Sequence, residues 1–391
     1  MRRGHLLRYD TVLAVALGLA GLWAAPTLAD DVPPPKSPFT LTATLNSDLM
    51  DNIDGGLKTG ALPVTDLEMA GSWKNTSGWR GYVDVLVDGG GRFSQRYSGD
   101  MQSVSSLDAV PATHLYELWL RKTVGQARLV TTVGIINLNR IFDVQPVGGL
   151  FLNSSSGIGP DYSQTAPSIY PITSLGIVSE WQPSNGYFWR LGLFGGVSGD
   201  PGHPRAFTHI GFSGEHGATA IVEREQTLHD GVFKLGGWIY TAQASAFGAG
   251  QALRAGVYEQ YATTVWRNAA HRDRKIDGWL RLGQTDSDAL KISNYEGGGI
   301  VWTGWLNARP RDQAGLALYR AGFGGPYLAA TPGLATAETT IEATYQVQTK
   351  NGFTFQPDLQ YIDDPSGDKH VGHAVVVGLR VKRKLADLAL P

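Results

Sequence analysis

Short segments in which apolar and polar residues alternate recur along this chain, and no long apolar stretch follows its first thirty residues. In the segment 353–361, one face carries Phe353, Phe355, Pro357, Leu359 and Tyr361, and the other carries Thr354, Gln356, Asp358 and Gln360. A strand of period two has an apolar face and a polar face. Amide and carboxylate groups on the polar face favour contact with water over burial in a packed core. Repeated many times, this pattern is typical of an all-β transmembrane barrel with a polar lumen.

The N-terminus has the features of a secretory signal peptide. Basic residues precede an apolar run at 12–23, and Thr27-Leu28-Ala29 offers a cleavage site that would leave Asp30 first. The run is shorter than the ~20 residues of a transmembrane helix, although an uncleaved anchor is the alternative. We expect residues 1–29 to be the signal peptide and the proline-rich residues 30–38 to be an extended periplasmic lead-in.

Length and composition also favour a barrel. The mature chain would have about 360 residues, whereas a single packed core rarely grows beyond ~250–300 residues. A barrel avoids this limit because its interior holds water. The chain has no cysteine, so a closed ladder of backbone hydrogen bonds would have to hold it together outside the cytoplasm. The formal net charge of −2 gives no indication of nucleic-acid binding.

The alternation predicts about sixteen antiparallel strands in a barrel at 39–385, followed by a C-terminal tail at 386–391. Glycine or charge blurs the pattern in two of the strands, 217–226 and 294–306, so fourteen or eighteen strands remain open. The predicted strands are 39–50, 66–74, 79–88, 114–122, 127–136, 173–182, 187–195, 217–226, 232–241, 255–267, 277–285, 294–306, 313–321, 338–348, 352–362 and 373–384.

The connections between these strands are of two kinds, which predicts the orientation of the barrel. Short connections with turn residues occur near 75–78, 124–126, 183–186, 228–231, 307–310 and 349–352. Long connections occur near 89–113, 137–172, 196–216 and 322–337. Outer-membrane barrels have short periplasmic turns and long external loops. With an even number of strands, this pattern places both ends of the barrel in the periplasm.

Tryptophan positions agree with that orientation. Seven tryptophans lie within a few residues of connections assigned to the periplasm: Trp73, Trp79, Trp181, Trp189, Trp266, Trp279 and Trp305. Aromatic residues concentrate at membrane–water interfaces, so we interpret these seven as one girdle. The alternative is that tryptophan ends strands in any β protein.

Several segments, in order along the chain, resemble the carbohydrate-selective porins of the OprB type. The segments are 116–120 (YELWL), 149–155 (GLFLNSS), 170–176 (YPITSLG), 233–238 (FKLGGW) and 356–361 (QPDLQY). The resemblance implies a sixteen-stranded outer-membrane barrel that lets sugars diffuse passively into the periplasm, without a cofactor. Two features depart from the family: the opening Asp-Trp-Gly-Gly-Leu-Arg type segment is not found, and the chain does not end on an aromatic residue.

The connection 137–172 is the predicted constriction of such a pore. A sixteen-stranded barrel leaves an aqueous channel, which must be narrowed before it can select solutes, and long loops are usually functional or disordered. Its apolar residues would be buried if the connection folded into the lumen. Arg140, Asp143 and Asn153 are its candidate solute-binding residues. The alternative is an external lid.

The register of the strands predicts which side chains line the lumen. If Leu118 and Leu120 face lipid, Glu117 and Trp119 face inward. Charged groups of opposite sign would orient polar solutes, and inward indole rings would contact pyranose rings. The alternative for each residue is an ordinary wet barrel wall. The predicted lumen-facing solute-binding residues are Glu117, Trp119, Arg190, Lys234, Trp238, Asp358 and Gln360.

The chain carries no Gly-x-Ser-x-Gly, His-Glu-x-x-His or P-loop motif, so we do not expect an enzyme. The predicted function is a porin for sugars in the bacterial outer membrane. A structural or export barrel for an envelope polysaccharide or complex is the alternative. The expected partners are mono- or oligosaccharides, outer-membrane lipid, the barrel-assembly machinery and further copies of the chain, and no nucleic acid.

Overall fold

Sixteen antiparallel strands close into a barrel in the computed structural model, which describes residues 37–390 except 126–127, 200–201, 209 and 211–216. Each strand pairs with the next along the chain, and the first pairs with the last. The strands are β1 (Phe39–Gly55), β2 (Gly60–Lys74), β3 (Trp79–Gly89), β4 (Ala112–Val124), β5 (Leu129–Ile136), β6 (Ser174–Ser184), β7 (Tyr187–Gly195), β8 (Ala218–Thr227), β9 (Gly231–Tyr240), β12 (Ala255–Arg267), β13 (Lys275–Thr285), β14 (Ile292–Thr303), β15 (Gln313–Phe323), β16 (Ala337–Gln348), β17 (Phe353–Asp363) and β18 (His373–Leu390). Two further strands, β10 (Ala244–Ser245) and β11 (Gln251–Ala252), form a small separate hairpin in the connection between β9 and β12.

The predicted number of strands is confirmed, including the two with a blurred pattern, which are β8 and β14. The predicted tail at 386–391 is wrong as far as Leu390, because β18 continues to that residue and stays paired with β1. The predicted signal peptide and most of the lead-in lie outside the described residues. No helix within the described part of the chain is long and apolar enough to cross a membrane.

The outer surface of the barrel is apolar where the alternation predicts it. Leu118, Leu191 and Leu359, for example, are all exposed on this surface. Six of the seven girdle tryptophans have partly or fully exposed side chains near the periplasmic end. Trp279 is the exception, since it is buried in the lumen and its ring packs against Phe151. Its assignment to the girdle is therefore wrong: Trp279 lies at the inward register of β13, between Asp277 and Arg281.

The long connection between β5 and β6, which we call the inner loop (137–173), folds into the lumen. It forms three 3₁₀ turns, Leu138–Arg140, Gly148–Leu150 and Ser154–Ser156, and a short helix at Pro160–Ser163. Its apolar side chains are buried against the inner wall in clusters that form the core of the molecule. Apolar residues that would be costly to expose to water explain this placement. The alternative of an external lid is excluded.

A second external connection, 90–111, also turns inward. It contains a short π-helical turn at Ser94–Ser98, and Phe93 and Val104 are buried together with Leu152 of the inner loop. The remaining helical elements are small: Gly325–Ala330 follows β15, and Pro365–Gly367 follows β17. The two inward connections therefore pack against each other inside the barrel.

Candidate pore and constriction

The inner loop is fixed to the barrel wall by a buried arginine of β13. Arg281 donates two hydrogen bonds to Asp143, at 2.8 and 2.7 Å, and two to Asp161, at 2.6 and 3.3 Å. Its guanidinium also lies 5.2 Å from the ring centroid of Tyr258 and 5.3 Å from that of Tyr295. Two carboxylates, both from the inner loop, therefore share one cation in a site closed to solvent. Pairs of this kind hold a segment in place because either partner alone would leave a buried charge.

Two glycines make room for this ion pair. A Cβ atom on Gly159 would lie 2.0 Å from Nη1 of Arg281, and one on Gly283 would lie 2.2 Å from Oδ2 of Asp161. Neither position tolerates a side chain unless the ion pair moves. The small residues are thus required on both sides of the contact, one on the loop and one on the strand.

The opposite part of the loop is held by β16 and β17. The carboxylate of Glu342 accepts hydrogen bonds from the backbone N–H groups of Leu152 and Asn153, at 2.6 and 3.3 Å. The side chain of Asn153 donates to Gln360 at 3.1 Å, and Gln360 in turn donates to Asp358 at 2.9 Å. These side chains are all buried. They face the lumen as predicted, and the inner loop covers them.

Two other predicted solute-binding residues are covered in the same way. Nζ of Lys234 donates to the carbonyl of Val144 on the inner loop at 2.7 Å. Trp238 faces inward but is only 3 % exposed, because Tyr162 of the inner loop stacks on it at 4.6 Å between ring centroids. Its indole is therefore not available to a sugar in this structure.

Of the charged residues of the inner loop, Arg140 alone has an exposed side chain. Its side chain is 42 % exposed and contacts three carboxylates: Glu68 at 2.6 Å, Asp84 at 3.1 Å and Glu117 at 2.7 Å. It also donates to the hydroxyl of Tyr82 at 3.2 Å. Burial opposes the charged form of Arg140, but the facing Glu117 carboxylate and its neighbours outweigh burial and raise its pKa above the usual value. Arg140 thus places a permanent positive charge beside an acidic wall.

A β-bulge explains how β4 supplies two neighbouring residues to this cluster. Asp84 of β3 pairs with Glu117, whereas Val85 pairs with Leu115, so Tyr116 is an extra residue. A bulge turns successive side chains to the same face. Glu117 bonds to Arg140, and the ring of Tyr116 lies 5.7 Å from the same guanidinium.

Trp119 lies beside the Arg140 cluster on the same wall. Its Nε1 donates to Glu117 at 2.8 Å, and its ring stacks on Tyr82 at 5.1 Å. The guanidinium of Arg121 lies 5.0 Å from the indole centroid. The ring remains partly exposed, in contrast to Trp238. The prediction of an inward Trp119 is confirmed, and the structure adds Tyr82 and Arg121 as its neighbours.

From Arg121 a series of ion pairs continues along the wall to β8. Arg121 lies 3.6 Å from Glu180, and Arg190 contacts Glu180, Glu223 and Glu225 at 3.3, 2.8 and 2.9 Å. Arg190 therefore faces inward as predicted. Side chains of alternating charge extend from β2 to β8 and are partly exposed at Glu68, Arg121 and Glu180. We call this part of the lumen surface, from β2 to β7, the open wall.

Sequence reasoning missed several members of the site. Glu68, Tyr82, Arg121 and Glu180 all lie at inward positions of predicted strands, so strand register alone could have selected them. Asp161 lies in the inner loop, where no periodicity indicates the direction of a side chain. Its pairing with Arg281 depends on the loop conformation, for which the sequence carries no local signal.

A family model for the carbohydrate-selective porins of the OprB family matches residues 64–385. This chain belongs to the OprB family. It is accordingly a protein of the bacterial outer membrane. Among curated proteins, Porin B of Pseudomonas aeruginosa is 26 % identical over 129 residues, and the match spans 28 % of each protein's length.

Solved structures agree with the fold. The high-pH structure of Pseudomonas putida OprB matches with a TM-score of 0.80 and 18 % identity, covering 89 % of this chain and 94 % of that one. The low-pH structure of the same protein matches with a TM-score of 0.59 and 16 % identity, covering 89 % and 93 %. The outer-membrane channel DcaP of Acinetobacter baumannii matches with a TM-score of 0.56 and 10 % identity, covering 91 % and 100 %. At these identities the likeness concerns the fold.

Proposed function

We propose that this OprB-family barrel lets sugars diffuse passively across the outer membrane along the open wall. The observation that carries the proposal is the partly exposed cluster of Arg140, Glu68 and Trp119 beside the inner loop. Family membership supports sugars as the class of solute. Solutes move down their own concentration gradient, so the process needs no energy source or cofactor.

The chemistry of the open wall suits hydroxyl-rich solutes. Carboxylates and guanidinium groups provide acceptors and donors that replace the water bonded to sugar hydroxyls. The partly exposed indole of Trp119 adds an apolar contact for the C–H face of a pyranose ring. Arg140 contacts three carboxylates. A neutral sugar can therefore replace one of these hydrogen bonds while Arg140 stays paired with the remaining carboxylates.

The proposal includes three kinds of partner besides the solute. We expect the barrel-assembly machinery to insert the chain and outer-membrane lipid to surround it. We also expect the chain to associate with further copies of itself. We assign it no catalytic activity, in keeping with a family and structural neighbours that are porins.

Liposome swelling tests the proposal. Purified protein in liposomes is challenged with a monosaccharide, a disaccharide and an amino acid of similar size to the monosaccharide. We expect faster entry of the monosaccharide than of the amino acid and slower entry of the disaccharide. Equal rates for sugar and amino acid would indicate an unselective pore, and no swelling would favour the structural or export role.

A matched pair of variants connects the swelling assay to the site. Arg140→Gln removes the charge at the open wall, and we expect it to change the ratio of sugar to amino-acid entry. Arg320→Gln is the control, because Arg320 lies on the outer surface of β15 between the register positions of Leu318 and Gly322. If both variants behave alike, the Arg140 cluster does not select the solute.

A further inference from the structure

Three basic side chains face the membrane near the periplasmic end of the barrel, and each lies directly opposite an aromatic residue. Lys122 pairs in register with Trp79, Arg224 with Trp189, and Arg383 with Phe353. Their neighbours on the same face include exposed apolar residues such as Leu120 and Val222. The three pairs occur on three separate parts of the circumference: β3–β4, β7–β8 and β17–β18.

Each basic group lies close to an aromatic ring. Nζ of Lys122 is 5.1 Å from the ring centroid of Trp79, and the guanidinium of Arg383 is 4.5 Å from that of Phe353. The guanidinium of Arg224 is 5.7 Å from the ring of Tyr187, which precedes Trp189 by two residues on the same face. The aromatic rings bury the apolar part of each basic side chain and direct its charged end towards the interface.

None of these three cations forms an ion pair within the described part of the chain. Nζ of Lys122 donates to the carbonyl of Ser77, and Arg224 donates to the side chain of Gln226 at 3.1 Å. By contrast, Arg190 and Arg281 in the lumen contact two or more carboxylates each. The positive charges of Lys122, Arg224 and Arg383 are thus left to be balanced by something outside the described part of the chain.

The external half of the same outer surface has the opposite charge. Asp51, Glu259, Glu296 and Asp363 occupy outward register positions towards the external ends of their strands, with Arg320 as a single cation among them. Arg320 lies 3.8 Å from Glu296. On the lipid-facing surface, basic residues are therefore concentrated at the periplasmic end and acidic residues at the external end.

We propose that Lys122, Arg224 and Arg383 bind the phosphate groups of anionic phospholipids in the periplasmic leaflet of the outer membrane. All three project from the lipid-facing side of strands, so a lipid headgroup reaches them more readily than a soluble protein in the periplasm. Aromatic rings at the interface position such headgroups, and basic residues near an anionic membrane surface attract its lipids. The sites form a discontinuous ring around the base of the barrel.

Electron paramagnetic resonance with spin-labelled lipids tests this proposal. The protein is reconstituted in phosphatidylcholine, and its relative affinity for spin-labelled phosphatidylglycerol over spin-labelled phosphatidylcholine is measured at low salt. We expect a preference for phosphatidylglycerol of at least about threefold, which falls towards one in the triple variant K122Q/R224Q/R383Q and at high salt. Heat-modifiable migration in SDS gels verifies that the variants fold.

A matched acidic variant is the control. D51N/E259Q/E296Q also removes three charges from the outer surface, but it should keep or strengthen the preference for phosphatidylglycerol. Sugar entry into liposomes should be unchanged in the basic triple variant, so the result is independent of the proposed pore function. A wild-type preference near one, or an equal preference in wild type and the basic triple variant, would overturn the proposal.

Discussion

The two sides of the lumen wall share the same alternation of apolar and polar residues but differ in how far their inward side chains are exposed to water. From β12 to β17 the inward side chains next to the inner loop are buried, and Arg281, Glu342 and Gln360 bond to that loop. Along the open wall, Glu68, Arg121 and Glu180 are partly exposed and pair with one another or with Arg140. The same alternation of apolar and polar residues thus produces a wall that anchors a loop and a wall that meets water.

The inner loop causes this difference. Its buried charges are paired in fixed geometry, which makes the β12–β17 side a support for the constriction. On the open wall, Glu68, Arg121 and Glu180 keep contact with solvent, so they remain free to bond with a solute. Substitutions on the β12–β17 side should therefore lower stability or release the inner loop, whereas substitutions on the open wall should change transport.

The largest effect is expected from Arg281→Met. Removing the cation leaves the carboxylates of Asp143 and Asp161 buried without a positive charge beside them, which typically costs about 3–5 kcal/mol. We expect the inner loop to leave its position and single-channel conductance to increase. Arg320→Met, on the outer surface of β15, is the control and should keep wild-type conductance. Unchanged conductance in Arg281→Met would mean that the ion pair does not hold the constriction.

Two of the inward indoles, Trp238 and Trp119, should behave differently when removed. Trp238 is stacked beneath Tyr162, so Trp238→Ala should lower the free energy of unfolding by about 3–5 kcal/mol. Trp119→Ala should instead weaken block of the channel by sugar, by about 0.5–1.5 kcal/mol, with a smaller loss of stability. Denaturant unfolding in detergent and current block at increasing sugar concentration measure the two quantities. Weaker sugar block in Trp238→Ala, together with a large loss of stability in Trp119→Ala, would contradict the assignment of Trp238 to the support of the inner loop and of Trp119 to the open wall.

A smaller effect is expected from Gly283→Ala. The added methyl group would overlap Asp161, and such overpacking typically costs about 1–3 kcal/mol. Gly237→Ala on the outer surface is the control, because its Cβ would meet only atoms at 3.6 Å. Urea unfolding of both variants gives the difference. Equal stability of the two would indicate that the ion pair of Arg281 has room to move.

Strand number and register were predictable because alternation with a period of two is a local property of the sequence. The blurred segment 294–306 still formed β14, since its neighbours on both sides supply hydrogen bonds along its length. The end of the barrel was not predictable: the continuation of β18 past Lys384 depends on pairing with β1, more than three hundred residues away.

Register predicts that a side chain faces the lumen but not whether the lumen holds water at that point. Gln360 and Trp119 both face inward, yet Gln360 is fully buried under the inner loop and Trp119 is partly exposed. The difference comes from the path of the inner loop, whose turns are fixed by contacts such as Arg281 to Asp161. Those contacts join distant segments and leave no periodic signal.

Cysteine accessibility tests the central claim most directly, since the chain has no cysteine of its own. Single cysteines replace Arg121 and Glu180 on the open wall, or Ala317 and Thr340, which are buried at inward positions of β15 and β16. Each variant is treated with a charged, membrane-impermeant thiol reagent during single-channel recording. We predict that R121C and E180C react rapidly and that their current changes, while A317C and T340C remain unmodified. Rapid modification of A317C or T340C, with R121C and E180C unreactive, would contradict the account.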